Sequence, residues 1–136
     1  MDSAKLIILG WKFSKLPVHD SQHVKSLINQ VERITKSDCF TMDKGYDSEN
    51  IHKYIREIIK VESVIPVRKW NGNIYSGKYR IEMIENFNQK KYGQRNMVET
   101  VFSVIKRRYG ENVRSRKYYN QLKEIKIRMI LHNMTL

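Results

Sequence analysis

Residues 39–67 read CFTMDKGYDSENIHKYIREIIKVESVIPV, and the order of patterns in this stretch decides the fold. Cys39 to Met42 is a short run of strand-forming residues that stops at the turn sequence Asp43-Lys44-Gly45. Ser48 stands where a helix N-cap belongs, ahead of Ile51, Tyr54, Ile55, Ile58 and Ile59 at the three- and four-residue spacing of a buried helix face. Residues 61–67 (VESVIPV) then return to β-branched chemistry. Strand, helix and strand in succession predict an α/β unit with Asp43 at a strand end, the edge where such folds open toward a ligand. Asp47, in the loop before the helix, reads as a capping residue.

Upstream, residues 5–9 (KLIIL) and 12–18 (KFSKLPV) read as two strands around Gly10-Trp11, with Pro17 near the end of the second. His19-Asp20-Ser21 supplies cap chemistry, with Asp20 as a cap, for a helix whose seam is Val24, Leu27, Ile28, Val31 and Ile34. The series strand, strand, helix, strand, helix, strand describes an α/β fold with a mixed sheet flanked by helices. Downstream, residues 68–80 (RKWNGNIYSGKYR) interleave basic and aromatic side chains around an Asn71-Gly72 turn. Arg68, Lys69 and Trp70 could grip a nucleic-acid backbone and stack on its bases, or the aromatics could pack an ordinary hairpin. Residues 82–88 suggest a short helical turn. Residues 92–108 predict a helix with Val98, Val101, Phe102 and Ile105 facing the core, and a last helix from residue 118 carries Leu122, Ile125 and Met129 on one face.

The 136 residues carry a formal net charge of +12, and it is unevenly placed: residues 1–68 hold +2 and residues 69–136 hold +10. Such asymmetry points to a polyanionic partner, most often nucleic acid, met by the second half; a solvated basic surface is the plainer alternative. No apolar run approaches the roughly 18 residues of a membrane span, and residues 1–9 lack the order of a secretory signal. Cys39 is the single cysteine, which indicates a reducing, cytoplasmic setting and a small buried side chain rather than a disulfide. His19, His23, His52 and His132 have no metal-ligand spacing.

Within the 92–108 helix, Tyr92, Arg95, Glu99 and Lys106 form a second stripe. At about 100° per residue they fall within about 60° of arc, along about 20 Å of helix, a length suited to successive phosphates. A solvated Arg95–Glu99 pair four residues apart is the bland reading. A strand-end Asp43 converging with a helical Glu99 would suit a divalent cation, because hard cations take oxygen ligands.

At these residues the chain resembles the insertion-sequence DDE transposases of the Tyr-Arg-Glu-Lys group. Tyr92, Arg95, Glu99 and Lys106 match that signature at every spacing, and Asp43-Lys44-Gly45-Tyr46-Asp47-Ser48 resembles the block carrying the family's second catalytic Asp. His19-Asp20-Ser21, Pro66-Val67-Arg68-Lys69 and Ile105-Lys106-Arg107-Arg108-Tyr109-Gly110 resemble further landmarks in the family order. The resemblance implies an RNase H-like core in which three carboxylates hold two Mg²⁺ (or Mn²⁺) ions for in-line phosphoryl displacement on DNA. Asp43 and Glu99 would be the second and third carboxylates and metal ligands. Arg95 and Lys106 would hold phosphates near the transposon end, and Tyr92 would position the strand.

The family's first Asp lies on a central strand that has no counterpart here, since Asp2-Ser3 stands only two residues before the strand expected at Lys5. The expectation is therefore one partial catalytic domain over residues 1–136, N-terminally truncated. It comprises a sheet region (1–67), a basic-aromatic insertion loop (68–91), and the catalytic and C-terminal helices (92–136). Its partners would be transposon-end and target DNA, and a second copy or a complementing N-terminal fragment. The implied function is metal-dependent DNA strand cleavage and strand transfer, in a truncated and inactive fragment. The alternatives are a non-catalytic DNA-binding or regulatory fragment that inhibits full-length transposase, and an RNase H-like nuclease outside transposition.

Overall fold

In the computed structural model, which describes residues 1–15, 20–68 and 76–136, the stretch quoted above folds as a β–α–β unit. Strand β1 (Cys39–Thr41) pairs in parallel with β2 (Glu62–Val64), with Cys39 opposite Glu62, Phe40 opposite Ser63 and Thr41 opposite Val64. Between them a tight turn, Lys44–Tyr46, leads into helix α2 (Glu49–Lys53), which widens into a π-helical stretch, Tyr54–Ile59. Lys60 then takes a left-handed conformation, φ 64°, and the Val61 N–H reaches the Ile55 carbonyl at 3.1 Å, turning the chain into β2. The widening changes which isoleucines face inward. Ile51 and Ile55 are buried, but Ile58, expected on the same face, is 66% exposed, because a π turn rotates later residues off a 3.6-residue stripe. Ser48 occupies the N-cap position, yet its side chain makes no capping bond.

Helix α1 (Val24–Ile34) follows a turn at Asp20–His23, so the N-cap position belongs to His23 rather than to Asp20. Its Val24 and Ile28 join Ile51, Ile55 and Ile65 in one core, with Phe40, Met42 and Tyr46 packed around it. Helix α3 (Lys78–Glu85) buries Tyr79 and Met83, replacing the shorter turn expected at residues 82–88. The Asn88 side chain accepts the Lys91 N–H to cap α4 (Gln89–Gly93). These elements make the compact unit Ser14–Arg95.

The second unit combines Met1–Phe13 with Asn96–Leu136. Helices α5 (Asn96–Tyr109) and α6 (Tyr118–Met134) enclose a core of Ile8, Val101, Ile105 and Met129, with Ile125 packed against it. Residues 5–9 are not the strand that their apolar run suggested. Asp2 and Ile7 form an isolated antiparallel bridge around a turn, and the Asp2 carboxylate accepts the Ala4 and Lys5 N–H groups at 2.9 and 3.1 Å. That local bonding competes with extension, and the apolar residues serve as plugs for the two helices instead. Asn133 accepts the Ile8 N–H and donates to the Ile8 carbonyl, while His132 Nε2 lies 3.0 Å from the Leu6 carbonyl. Residues 12–15 are likewise not a strand, and the rest of the expected second strand, residues 16–18, lies outside the described residues.

The single helix expected over residues 92–108 is two helices. α4 ends at Gly93, Gln94 and Arg95 close tighter three-residue turns onto Lys91 and Tyr92, and α5 begins at Asn96. Gly93 and Asn96 are poor residues for a helix interior, which places the break. Phe102, expected in the core, is 50% exposed.

Candidate active site

Asp43 stands at the C-terminal end of β1, where the Met42 N–H bonds the Val64 carbonyl and completes the ladder. Its carboxylate accepts the Gly45 N–H at 2.6 Å, capping the Lys44–Tyr46 turn, and remains exposed. Arg68 reaches the same place after β2. A Cβ built on Gly45 would stand 2.9 Å from Asp43 Oδ1 and 3.8 Å from Arg68 Nη2, so a carboxylate and a guanidinium flank one glycine.

Asp47, expected to cap, does something else. Its side chain is 1% exposed and accepts Arg80 Nε and Nη2 at 2.9–3.2 Å together with the Arg68 N–H at 2.8 Å. Glu49 does the capping instead, accepting the Tyr79 and Arg80 N–H groups at 3.1 Å each at the start of α3. Sequence reasoning missed Glu49 and Arg80 because their partners lie about thirty residues away, and only the β–α–β turn brings them together.

The other expected contacts divide between the two units. In Ser14–Arg95, the Arg95 guanidinium lies 5.5 Å from the Tyr92 ring centroid, and the Phe87 ring lies 5.3 Å from Tyr92 on the same aromatic group. Lys91 beside them pairs with Glu62, and that hydrogen bond raises its pKa. Glu99 and Lys106 both lie on α5, exposed and two turns apart, and Lys106 approaches Glu111 at 4.0 Å. The four signature residues therefore do not share one continuous helix face. Lys69 and Trp70 lie outside the described residues.

Further basic residues are held in place after α5. Residues 110–117 cross to α6 with Arg114, Arg116 and Lys117 exposed. The Glu124 carboxylate accepts the N–H groups of Arg114 and Ser115 and the Ser115 hydroxyl, and these bonds, with Arg128 nearby, lower its pKa to about 2. Arg128 donates to the carbonyls of Gly110 and Asn112 at 2.9 and 2.8 Å.

At the opposite, N-terminal ends of the two strands, Asp38, Arg56, Glu62 and Tyr79 line an open cavity of about 580 Å³. Arg56 is committed there, to Glu82 by an ion pair and to the Ser63 hydroxyl and carbonyl. Ser63 Oγ lies 2.7 Å from Nδ1 of buried His52, whose pKa is lowered by burial and then by Arg56. The Ser63 hydroxyl thus accepts from Arg56 and shares a hydrogen bond with the neutral imidazole of His52.

Among the described residues, no group of three His, Cys, Asp or Glu side chains is placed to hold a metal ion. Asp43 belongs to the unit Ser14–Arg95 and Glu99 to the unit of Met1–Phe13 with Asn96–Leu136. Among the described residues, no helix is long and apolar enough to cross a membrane. A family model described as Transposase DDE domain matches residues 3–134. Comparison with curated proteins gives no match, and comparison with solved structures gives none.

Proposed function

The chain belongs to the transposase DDE domain family, and from that premise we propose that it is the C-terminal part of a DDE catalytic domain that cleaves and joins DNA strands at insertion-sequence ends. Membership supports a role in transposition with DNA as substrate, and the family is generally dependent on a divalent metal. The observation that carries the finer reading is the match over residues 3–134, joined to the spacing of Tyr92, Arg95, Glu99 and Lys106 and the block at Asp43. The parallel β1–α2–β2 unit with Asp43 at its strand end supports an RNase H-like core.

Asp43 and Glu99 would supply two of three carboxylates for Mg²⁺ or Mn²⁺. The third would come from residues beyond this sequence or from a second polypeptide, including a complementing N-terminal fragment or a second copy. Arg68, Lys69, Trp70, Tyr92, Arg95 and Lys106 would contact DNA. Cations placed near the carboxylates suit phosphates that must be clamped in register before any bond is broken.

A second reading is favoured by the +10 charge of residues 69–136, which suits DNA binding whether or not the DNA is cut. In it the chain binds DNA without cutting it, or joins full-length transposase in inactive assemblies. Glu99→Ala separates the two. DNA-end cleavage by the chain complemented with the missing carboxylate-bearing segment should fall at least a hundredfold, while DNA affinity changes less than threefold. Unchanged complemented cleavage would remove Glu99 from the chemistry. A chain that lowers cleavage by full-length enzyme, and does so equally with Glu99→Ala, would favour the regulatory reading.

A further inference from the structure

We propose that Asp47 and Arg80 are positioning residues that hold Arg68 beside Asp43 as a contact for one phosphate of the DNA backbone; this rests on the DNA-processing reading above. Asp47 accepts the Arg68 N–H at 2.8 Å, and Arg80 Nη2 reaches the Arg68 carbonyl at 3.4 Å. The N–H and the C=O of residue 68 are thus both tied to one buried ion pair. That pair is itself braced, because Glu49 at the start of α2 holds the first N–H groups of the helix that carries Arg80. From this fixed main chain the Arg68 side chain is exposed, and its Nη2 and Asp43 Oδ1 both stand close to Gly45, 3.8 and 2.9 Å from where a Cβ would be.

An exposed guanidinium beside an exposed strand-end carboxylate suits a phosphodiester. The guanidinium donates to the non-bridging oxygens and offsets the repulsion that the carboxylate alone would exert. Asp47 is out of reach of DNA at 1% exposure, and the Arg80 fork is committed to Asp47 and the Arg68 carbonyl. Their effect on DNA therefore passes through Arg68. Small errors in the placement of a charged group weaken a contact of this kind, which makes its supports part of the site.

The test is a double-mutant cycle on the whole chain, with binding to a fluorescently labelled DNA duplex followed by anisotropy over a salt series. Arg68→Gln should weaken binding about three- to tenfold and reduce the dependence of log affinity on log salt by about 0.9, the value for one phosphate. Arg80→Lys keeps the net charge and a cation against Asp47 but loses the fork. It should still weaken binding about threefold, with a similar loss of salt dependence. The double variant should bind no more weakly than Arg68→Gln alone.

Circular dichroism melts check folding. If Arg80→Lys does not stay folded, the pair Asp47→Asn/Arg80→Gln, which leaves no buried charge without a counter-ion, takes its place in the cycle. A stability loss with unchanged affinity and salt dependence would overturn the proposal by showing a purely structural tie. Additive losses would overturn it by showing that Arg80 touches phosphate itself. Wild-type chain that binds no DNA would overturn the DNA reading and this proposal together. Wild-type binding that Arg68→Gln leaves unaltered would overturn this proposal alone.

Discussion

In Ser14–Arg95 the carboxylate of Asp47, in the loop before α2, is 1% exposed and meets the Arg80 guanidinium from α3, 33 residues away. In the unit of Met1–Phe13 with Asn96–Leu136, Glu124 is 21% exposed and serves residues 110–117, its near neighbours in sequence, along with Arg128 one turn along α6. Both acids organise positive charge. The first joins elements that would otherwise be separate and leaves Arg68 facing solvent, while the second braces a local loop whose cations stay at the surface. The same chemistry is a tertiary tie in one place and a loop brace in the other, and the consequences of removing it differ accordingly.

The largest contrast is expected from the two arginines. Arg80→Ala leaves the buried Asp47 charge without its counter-ion and should cost about 4 kcal/mol in denaturant unfolding. Arg128→Ala, whose partner Glu124 is 21% exposed and can be hydrated, should cost about 2 kcal/mol through lost bonds to carbonyls. Equal losses would dissolve the distinction between tie and brace. The cores sharpen it further. Ile55→Ala, at 0% exposure, should cost about 3 kcal/mol, and Ile105→Ala, at 8%, about 2 kcal/mol, measured the same way.

Two glycines extend the comparison to the backbone. Gly77 has φ +110°, and a Cβ there would stand 2.6 Å from Glu49 Oε2, so Gly77→Ala should cost about 2 kcal/mol and disturb the cap of α3. Gly110 has φ +86° with open space around it, so Gly110→Ala should cost about 1 kcal/mol, from conformation alone.

The smallest effects are expected from pH. His52 is held neutral by burial, its folded pKa below the ordinary 6.5, so the unfolded chain binds the extra proton first. Stability should therefore fall as pH drops below about 6.5, and His52→Gln should flatten that segment of the curve. Glu124 has the opposite chemistry with the same direction of effect: its folded pKa is about 2 against an ordinary 4.5. Its contribution is full above about 4.5 and is lost as pH falls toward 2. Hydrogen exchange across this range should show protection fading around β2 first and at residues 114–115 later. The reverse order would contradict these assignments.

Much of this was legible in the chain because it rests on local patterns. The β–α–β unit follows from apolar runs, a turn and a helical seam within thirty residues, and the resemblance carried by the motifs at Asp43 and at Tyr92 to Lys106 agrees with the family match over residues 3–134. The misreadings came where another force outweighed the local pattern. Residues 5–9 have strand composition, but the Asp2 side chain closes a turn and Ile8 is captured between helices. The helical spacing of Tyr92, Arg95, Glu99 and Lys106 runs through Gly93, although the backbone preference of Gly93 and Asn96 breaks the helix there. Asp47 looked like a cap because its long-range partner, Arg80, is visible only once the fold is known.

The bracing of residues 110–117 bears on how this protein would meet a protease. Arg114, Arg116 and Lys117 offer trypsin three adjacent cleavage points on the surface. Cleavage, however, requires the backbone to detach and thread into the enzyme, and here the N–H groups of residues 114 and 115 and the carbonyls of residues 110 and 112 are already engaged. The rate of nicking in this segment therefore reports how often Glu124 and Arg128 let go, which makes limited digestion a readout of local opening in the most basic loop of the unit.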